Sequence, residues 1–227
     1  MDLEAVLAAH DQQVRRDLTV PPGFVAEDLG RVVRVTAPPG SESSFVEWSD
    51  LDEHTADAEI AAQVAYFAER GQPFEWKTYG HDRPPDLGER LVHAGFRPEE
   101  PEAFVVGEVA GVLAATEGHD AVAGITIRPA HRTDLPAMAA LSAAVWRRDA
   151  TAMLTELFDE QAHDPRALAI FVATSDGTVV SDGWVRLPAS DFASLWGGST
   201  LAEYRHRGIY RALVRTRALL AGERGHR

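Results

Sequence analysis

An α/β fold with mixed β-sheets is the fold class that this sequence predicts, and three observations support it. Segments with alternating apolar residues, typical of strands, are interspersed with segments whose apolar residues recur at helical spacing. Near the C-terminus, residues 192–220 combine a strand-like segment, a turn rich in glycine and arginine, and an amphipathic helix. The length of 227 residues suits one large domain or two small ones.

The first 110 residues predict three helices and four strands. Helices are expected at residues 3–18, 57–70 and 87–94, and strands at 32–36, 45–48, 74–79 and 103–109. The second helix has an apolar stripe at Ile60, Val64 and Phe67, and Gly71 is placed to end it. Asp86, followed by Glu89 three residues later, is an arrangement typical of a helix cap.

Residues 111–121 are small and polar, and we predict that they form a linker. After it, a strand is expected at 125–128, a helix opened by Thr133 as its N-cap, and a further helix at 152–158. Strands at 169–173 and 179–187 should be joined by a hairpin turn at residues 175–177. A buried strand at 192–196 and a helix that starts near Gly208 complete the prediction, with tryptophans assigned to the core by default.

Composition excludes several classes of protein. The net charge of −13 argues against general nucleic-acid binding, and no apolar run approaches the roughly 18 residues of a membrane span. The sequence has no cysteine, its nine histidines lack the spacing of zinc ligands, and we therefore expect no metal site. No phosphate-binding P-loop, dinucleotide fingerprint or hydrolase elbow is present. No secretory signal is recognised at the N-terminus, so a cytoplasmic protein is expected.

Charge is distributed unevenly along the chain. Residues 200–227 contain seven arginines and two glutamates, a net charge of +5, which leaves −18 for residues 1–199. A cationic end on an acidic protein suits a polyanionic ligand. We expect Arg205 and Arg207, beside the turn, to contact such a ligand, and Arg215 and Arg217 to lie on a solvated helix face.

The turn between the last predicted strand and helix has the features of a phosphate site. It exposes backbone N–H groups at the positive end of the helix dipole, and Gly208 allows a ligand to approach the backbone closely. Residues 200–210, TLAEYRHRGIY, also resemble the acetyl-CoA signature of the GCN5-related N-acetyltransferases: Gln or Arg, two free residues, Gly, one free residue, then Gly or Ala. Arg205 and Gly208 match that signature, whereas Tyr210 stands where a small residue is usual.

The resemblance extends to other parts of the chain. Residues 127–146, IRPAHRTDLPAMAALSAAVW, resemble the first strand and helix of such an acetyltransferase. Residues 1–110 resemble the second half of one, including LVHAGF at 91–96, but contain no Arg-x-x-Gly turn. The resemblance therefore implies a tandem acyl-CoA N-acyltransferase fold, with a degenerate half domain at 1–110 and a cofactor-binding domain at 122–227. A simple α+β cover domain of other origin is the alternative for residues 1–110.

What the resemblance implies about function is direct transfer of an acetyl group from acetyl-CoA, a co-substrate, to an amine of a small molecule or peptide. It assigns cofactor contacts to the end of the last strand and to the following turn: Ser199, Thr200, Leu201, Arg205, His206, Arg207, Gly208, Ile209 and Tyr210. Glu203 is the candidate general base, with an exposed capping role as the alternative. Tyr79 is the candidate acid for the leaving thiolate if the N-terminal half completes the fold, and otherwise a core aromatic.

The family's usual last strand, helix and hairpin have no counterpart after Gly225. Three explanations stay open: a shortened chain, a partner chain that completes the sheet as a homodimer, or completion by the N-terminal half, with residues 74–79 as the missing strand. A catalytically inactive relative that binds CoA or a protein partner is the alternative function, motivated by this shortening and by Tyr210.

Overall fold

The computed structural model describes residues 2–227, which form two compact units, one ending at Val105 and the other beginning at Val106. Each unit contains one four-stranded sheet and its own helices. The fold class is therefore α/β, as predicted, with one mixed sheet and one antiparallel sheet. The domain limits at residues 110 and 121 stay a prediction.

The first unit is a mixed sheet with helices. Its helices are α1 (Leu3–His10), which continues as a π-helical turn Asp11–Arg16, α2 (Ala56–Arg70) and α3 (Leu87–His93). Its strands are β1 (Val25–Asp28), β2 (Val32–Thr36), β3 (Ser44–Ser49) and β4 (Phe74–Trp76). The first three strands form an antiparallel meander, and β4 pairs with β3 in parallel after the α2 crossover.

The core of the first unit follows from the apolar periodicity of α2 and β2. Ile60 and Phe67 of α2 are buried, as are Val32 and Val35 of β2. Gly71 ends α2 in the left-handed conformation at φ 61°, which glycine adopts without steric cost. This confirms the predicted second helix and its end.

Three predictions in the first unit were wrong. The β4 strand ends at Trp76, so Tyr79 lies beyond it, and residues 103–107 form no strand. Asp86 does not cap α3, because its carboxylate instead pairs with Arg90 one helical turn later, at 3.0 Å. An i, i+4 ion pair and an N-cap compete for the same carboxylate, and here the ion pair forms.

The second unit has one antiparallel sheet between two layers of helix. Its strands are β5 (Thr126–Pro129), β6 (Leu168–Ser175), β7 (Thr178–Arg186) and β8 (Ser194–Thr200), hydrogen-bonded in that order. Its helices are α4 (Val109–Ala115), α5 (Leu135–Trp146), α6 (Thr151–His163) and α7 (Ile209–Glu223).

Both faces of this sheet are buried. Alternate residues of β6 point to opposite faces of the sheet. Ile170 packs with α5 and α6 on one face, and Phe171 packs with α7 on the other. The β6–β7 hairpin turns at Asp176 and Gly177, with φ angles of 47° and 80°, which is the conformation of a type I′ turn. The predicted hairpin turn is confirmed.

The segment predicted as a linker contains a helix. α4 packs against α7, where a Cβ built on Gly222 would lie 3.3 Å from Val109, and Arg215 of α7 donates to the carbonyl of Leu113 at 2.8 Å. Small residues that suggest a flexible linker also permit the close approach of two helices. The predicted N-cap Thr133 was wrong as well, since residues 132–134 form a 3₁₀ turn and α5 begins at Leu135.

The last strand lies further along the chain than predicted and is not buried along its length. In β8, Leu195 and Trp196 are 40% and 51% exposed, which corrects the assignment of Trp196 to the core. Within residues 2–227, β8 is paired on one side, with β7. β4 belongs to the sheet of the first unit, so the proposal that residues 74–79 serve as a further strand of the second sheet was wrong.

Membrane-spanning helices and clusters of metal ligands were both searched for among the described residues. None of the helices between residues 2 and 227 has both the length and the apolar character to cross a membrane. Over the same residues, no three histidine, aspartate or glutamate side chains come together as a group that could hold a metal ion.

Candidate functional site

A cleft of about 390 Å³ lies in the second unit where β8 ends and α7 begins. Its walls are the end of α5, the last residues of β8, the turn at 204–206 and the first two residues of α7. Five of the nine residues predicted to bind the cofactor line it: Thr200, Arg205, His206, Ile209 and Tyr210. The other four, Ser199, Leu201, Arg207 and Gly208, are their neighbours in the chain but do not line it.

The turn brings the start of α7 to this cleft. A 3₁₀ turn at Ala202–Tyr204 reverses the chain, His206 follows with φ 62°, and Gly208 stands at the N-cap with φ 83°. Gly208 has no side chain to cap the helix. Among residues 2–227, no hydrogen bond is made by the amides of Ile209, Tyr210 or Arg211. These free donors at the positive end of a 15-residue helix form a site for an anionic group.

The arginine side chains of the turn hold its shape. Arg205 donates through Nε to the carbonyl of Thr200 at 3.1 Å, and Arg207 donates through Nη2 to the carbonyl of Ala123 at 3.2 Å. Both residues remain exposed. The sequence predicted these guanidinium groups as ligand contacts, whereas the structure also uses them to fasten the turn to β8 and to the segment before β5.

Arg217 lies in the core of the second unit, and the prediction of a solvated side chain was wrong. It is 1% exposed, and its guanidinium donates to the carbonyls of Leu213, Trp184 and Trp196 at 3.0, 3.3 and 2.8 Å. Gly183 provides the space, because a Cβ there would lie 2.8 Å from the Arg217 Nη1 atom. Arg215 is mostly covered too, by its contacts with Asp120 and Leu113.

Comparisons with known proteins agree with this architecture. A GCN5-related N-acetyltransferase from Kribbella flavida is 16% identical in sequence, with a TM-score of 0.60 over 98% of this chain and 81% of that chain. The chain has the fold of a GCN5-related N-acetyltransferase. No family model and no curated protein matches the sequence.

Further solved structures match part of the chain. AAC(6')-Iy, in complex with the bisubstrate analog CoA-S-monomethyl-acetylneamine, is 21% identical, with a TM-score of 0.40 over 45% of this chain and 75% of that chain. The ribosomal-protein-S18-alanine N-acetyltransferase from Escherichia coli is 20% identical, with a TM-score of 0.35 over 45% of this chain and 62% of that chain.

Tyr210, which departs from the GCN5-related signature, directs its ring toward β8. A Cβ built on Gly198 would lie 2.8 Å from Cε2 of Tyr210, so the ring covers the glycine closely. Gly198 has φ 103° and lies in an irregular part of the β7–β8 ladder. The bulk of Tyr210 is thus accommodated by a glycine on the strand, and its backbone amide stays at the helix start.

The predicted acid and base are not brought together in the cleft. Glu203 is exposed in the 3₁₀ turn and is not among the residues that line the cleft. Tyr79 belongs to the first unit, where the Arg15 guanidinium lies 4.1 Å from the centre of its ring. Burial, with a smaller contribution from the charge of Glu47, raises the pKa of Tyr79. Its environment is that of a half-buried aromatic residue, the alternative interpretation that the sequence left open.

At the end of β8, one of the residues predicted to contact the cofactor has its backbone amide already engaged. The amide of Leu201 donates to the carbonyl of Val180 at 3.0 Å. Ser199 and Thr200 are 6% and 9% exposed, so their side chains lie under the cleft.

A buried polar cluster beneath the cleft was missed by sequence reasoning. Ser181 and Asp182 of β7 are 0% and 3% exposed, and the Ser181 hydroxyl lies 2.6 Å from the carbonyl oxygen of Ser199 and 2.8 Å from the hydroxyl of Thr200. Burial raises the pKa of Asp182 to about 6, although the polar groups of the nearby Ser199 and the charge of Arg217 act in the opposite direction. The adjacent polar residues Ser181 and Asp182, inside a strand that is otherwise apolar apart from Gly183, were the available signal.

Proposed function

We propose that this protein is an acetyl-CoA-dependent N-acetyltransferase that transfers the acetyl group directly to an amine. The observation that carries the proposal is the cleft at the end of β8, where the start of α7, with its three unpaired amides, lies beside the exposed Arg205. The GCN5-related fold supports it, because the Kribbella flavida protein with that fold is an N-acetyltransferase.

The cofactor would be held chiefly through its diphosphate. The amides of Ile209, Tyr210 and Arg211 would donate to phosphate oxygens, and the helix dipole would add favourable electrostatics. The remaining N–H groups of Arg205 and Arg207 would face a ligand of up to four negative charges at the net positive end of the chain. The pantetheine arm would then run along the last residues of β8, past Thr200.

The acceptor would be an amine of a small molecule or a peptide. Its nitrogen attacks the thioester carbonyl, the C–N bond forms and the C–S bond breaks. The nitrogen loses a proton, and the departing thiolate takes one up to leave as the free thiol of CoA. The protein contributes mainly orientation and electrostatic stabilisation. Val145 and Trp146, at the end of α5, contribute an apolar part of the cleft lining. The acceptor would lie beside these two residues.

Binding is tested by a pair of variants at one position. Tyr210→Pro removes one amide donor in the first helical turn, where proline is tolerated, while Tyr210→Ala removes the ring and keeps the amide. We expect Tyr210→Pro to bind acetyl-CoA roughly 10-fold more weakly than Tyr210→Ala by calorimetry, since a hydrogen bond to a charged group contributes about 1.5–3 kcal/mol. Equal affinities, with both variants folded by circular dichroism, would remove the α7 amides from the site.

Catalysis is tested by thiol release from acetyl-CoA across a panel of amines. Turnover that depends on the amine supports the proposal. Saturable binding of acetyl-CoA without turnover would instead indicate an inactive relative that binds CoA. Absence of saturable binding at millimolar acetyl-CoA would contradict both.

A further inference from the structure

The lining of the cleft is rich in aromatic side chains. Four of its nine lining residues carry a ring: Trp146, Tyr204, His206 and Tyr210. Trp146 and Tyr210 are 60% and 54% exposed, so much of their ring surface is available to a ligand. Such rings bind planar apolar groups well, because a stacked or edge-to-face aromatic pair is favourable beyond the area that it buries.

Trp146, the last residue of α5, is a ring whose orientation is fixed by the protein. Its indole Nε1 donates to the hydroxyl of Ser199 on β8 at 2.9 Å. The backbone carbonyl of Ser199 in turn accepts from the buried hydroxyl of Ser181 at 2.6 Å. The N–H edge of the indole is therefore held against β8, and the rest of the ring is left for a ligand. A side chain that is already oriented loses little conformational freedom on binding.

The two tyrosine rings of the lining are engaged by other groups of the protein. The guanidinium of Arg207 lies 5.2 Å from the centre of the Tyr204 ring. The Tyr210 ring covers Gly198, where a built Cβ would lie 2.8 Å from Cε2 of the tyrosine. The indole of Trp146 thus offers the larger free aromatic surface.

The charges of the lining disfavour a polycationic ligand. Among residues 2–227, those that line the cleft include no aspartate or glutamate, and they do include Arg205. Glu203 lies in the neighbouring 3₁₀ turn, but it is exposed and outside the lining. An apolar lining beside a positive charge favours the neutral form of an amine, which is the form that attacks a thioester.

We propose that the acceptor is a primary amine joined by a short linker to a single aromatic ring, and that this ring stacks on the indole of Trp146. The inference rests on the N-acetyltransferase function proposed above. A pantetheine arm that starts at α7 and runs along the last residues of β8 passes beside Ser199 and the indole bonded to it. A short linker lets the amine nitrogen reach the thioester while the ring stays on the indole.

The test compares three amines in steady-state turnover of acetyl-CoA by the full chain: 2-phenylethylamine, its saturated analogue 2-cyclohexylethylamine, and the polyamine spermidine. We expect phenylethylamine to have the highest kcat/KM, by at least about 10-fold over spermidine. Trp146→Leu should raise the KM of phenylethylamine by about 10-fold, and Trp146→Phe, which keeps a ring, should restore most of it. The KM of acetyl-CoA should stay within about 2-fold in both variants.

Trp196 supplies the matched control. It is also an exposed indole, at 51%, and it also donates to a serine hydroxyl, that of Ser194, at 2.8 Å, but it does not line the cleft. Trp196→Leu should leave the KM of phenylethylamine unchanged. Circular dichroism establishes that all the variants are folded.

The outcomes separate this inference from the proposed function. Turnover that prefers spermidine, or that is equal for phenylethylamine and cyclohexylethylamine, would overturn the inference and leave the proposed function standing. So would a Trp146→Leu variant that raises the KM of acetyl-CoA instead, since the indole would then contact the cofactor. If no amine is turned over, the indole ¹⁵N–¹H resonance of Trp146 decides. A shift with phenylethylamine and none with spermidine would support the ligand class and reject the enzyme, whereas no shift would reject both.

Discussion

Asp182 and Arg217 are two charged side chains buried in the second unit, and each is accommodated in a different way. Arg217 donates to three backbone carbonyls, so its positive charge is solvated by the protein. Asp182 is 3% exposed, and its Oδ1 atom has no hydrogen-bond partner among the described residues. Burial therefore destabilises the charged form of Asp182, which raises its pKa.

The first prediction concerns the pH dependence of the free energy of unfolding that follows from the raised pKa of Asp182. The folded protein binds a proton at Asp182 more tightly than the unfolded chain, whose pKa is near 3.8, so the free energy of unfolding decreases as pH rises from about 4 to about 6. Asp182→Asn cannot ionise and lacks this decrease. We expect the stability difference, variant minus wild type, to grow by up to about 3 kcal/mol between pH 4 and pH 7.5. Denaturant unfolding at a series of pH values measures it, and a constant difference would contradict the prediction.

The second prediction concerns the space that Gly183 leaves for Arg217. A methyl group at Gly183 would displace the guanidinium from its carbonyl partners, since its Cβ would lie 2.8 Å from Nη1. We expect Gly183→Ala to lower the free energy of unfolding by about 1–3 kcal/mol. The control is Gly111→Ala in α4, where the Cβ meets nothing within 4 Å and alanine favours the helix. Equal melting temperatures for the two variants would show that Arg217 adapts freely.

At the scale of elements, the first unit is held by a buried ion network that joins its π-helical turn to the sheet. Arg15 is 0% exposed, donates through Nη1 and Nη2 to Asp82 at 2.8 Å each, and donates through Nε to the carbonyl of Glu47 at 3.1 Å. Asp11 completes the network at 3.0 Å. This network ties α1 and its extension to β3 and to the segment after β4.

The third prediction tests this network. Arg15→Met leaves the buried carboxylate of Asp82 without its partner, so we expect a loss of about 3–5 kcal/mol in the free energy of unfolding of the first unit. Arg16→Met removes the neighbouring but exposed pair with Asp28, and a loss of at most about 1 kcal/mol is expected. Fluorescence of Trp48 and Trp76 follows unfolding of this unit. Similar losses for the two variants would contradict a dominant role for burial.

At the scale of the whole molecule, the open side of β8 is the feature that bears on assembly. β8 pairs with β7 alone in the described chain, and Leu195 and Trp196 are exposed on it. Unpaired N–H and C=O groups beside apolar side chains favour association with another strand. A homodimer formed through this edge stays our proposal.

The fourth prediction follows from that edge. Leu195→Lys places a charge on the strand, which disfavours pairing between copies, and we expect it to shift a concentration-dependent dimer toward monomer in sedimentation velocity. Leu219→Lys, on an exposed position of α7, is the matched control and should leave the distribution unchanged. A wild type that is monomeric at all concentrations would contradict the homodimer.

Sequence determined the elements whose signals are local. The periodicity of α2 and its glycine end, the Asp-Gly hairpin turn between β6 and β7, and Gly208 before α7 are set by steric preferences of a few consecutive residues. The chain therefore specified where the anion-binding turn lies. Tertiary structure decided the rest: the burial of Arg217, the hydrogen bond from the Trp146 indole to the Ser199 hydroxyl, and the helix α4 in place of a linker. These three features depend on which segments, distant in the sequence, pack together. Packing of that kind sets the energy of each side chain in the folded protein, and the spacing of residues along the chain does not encode it.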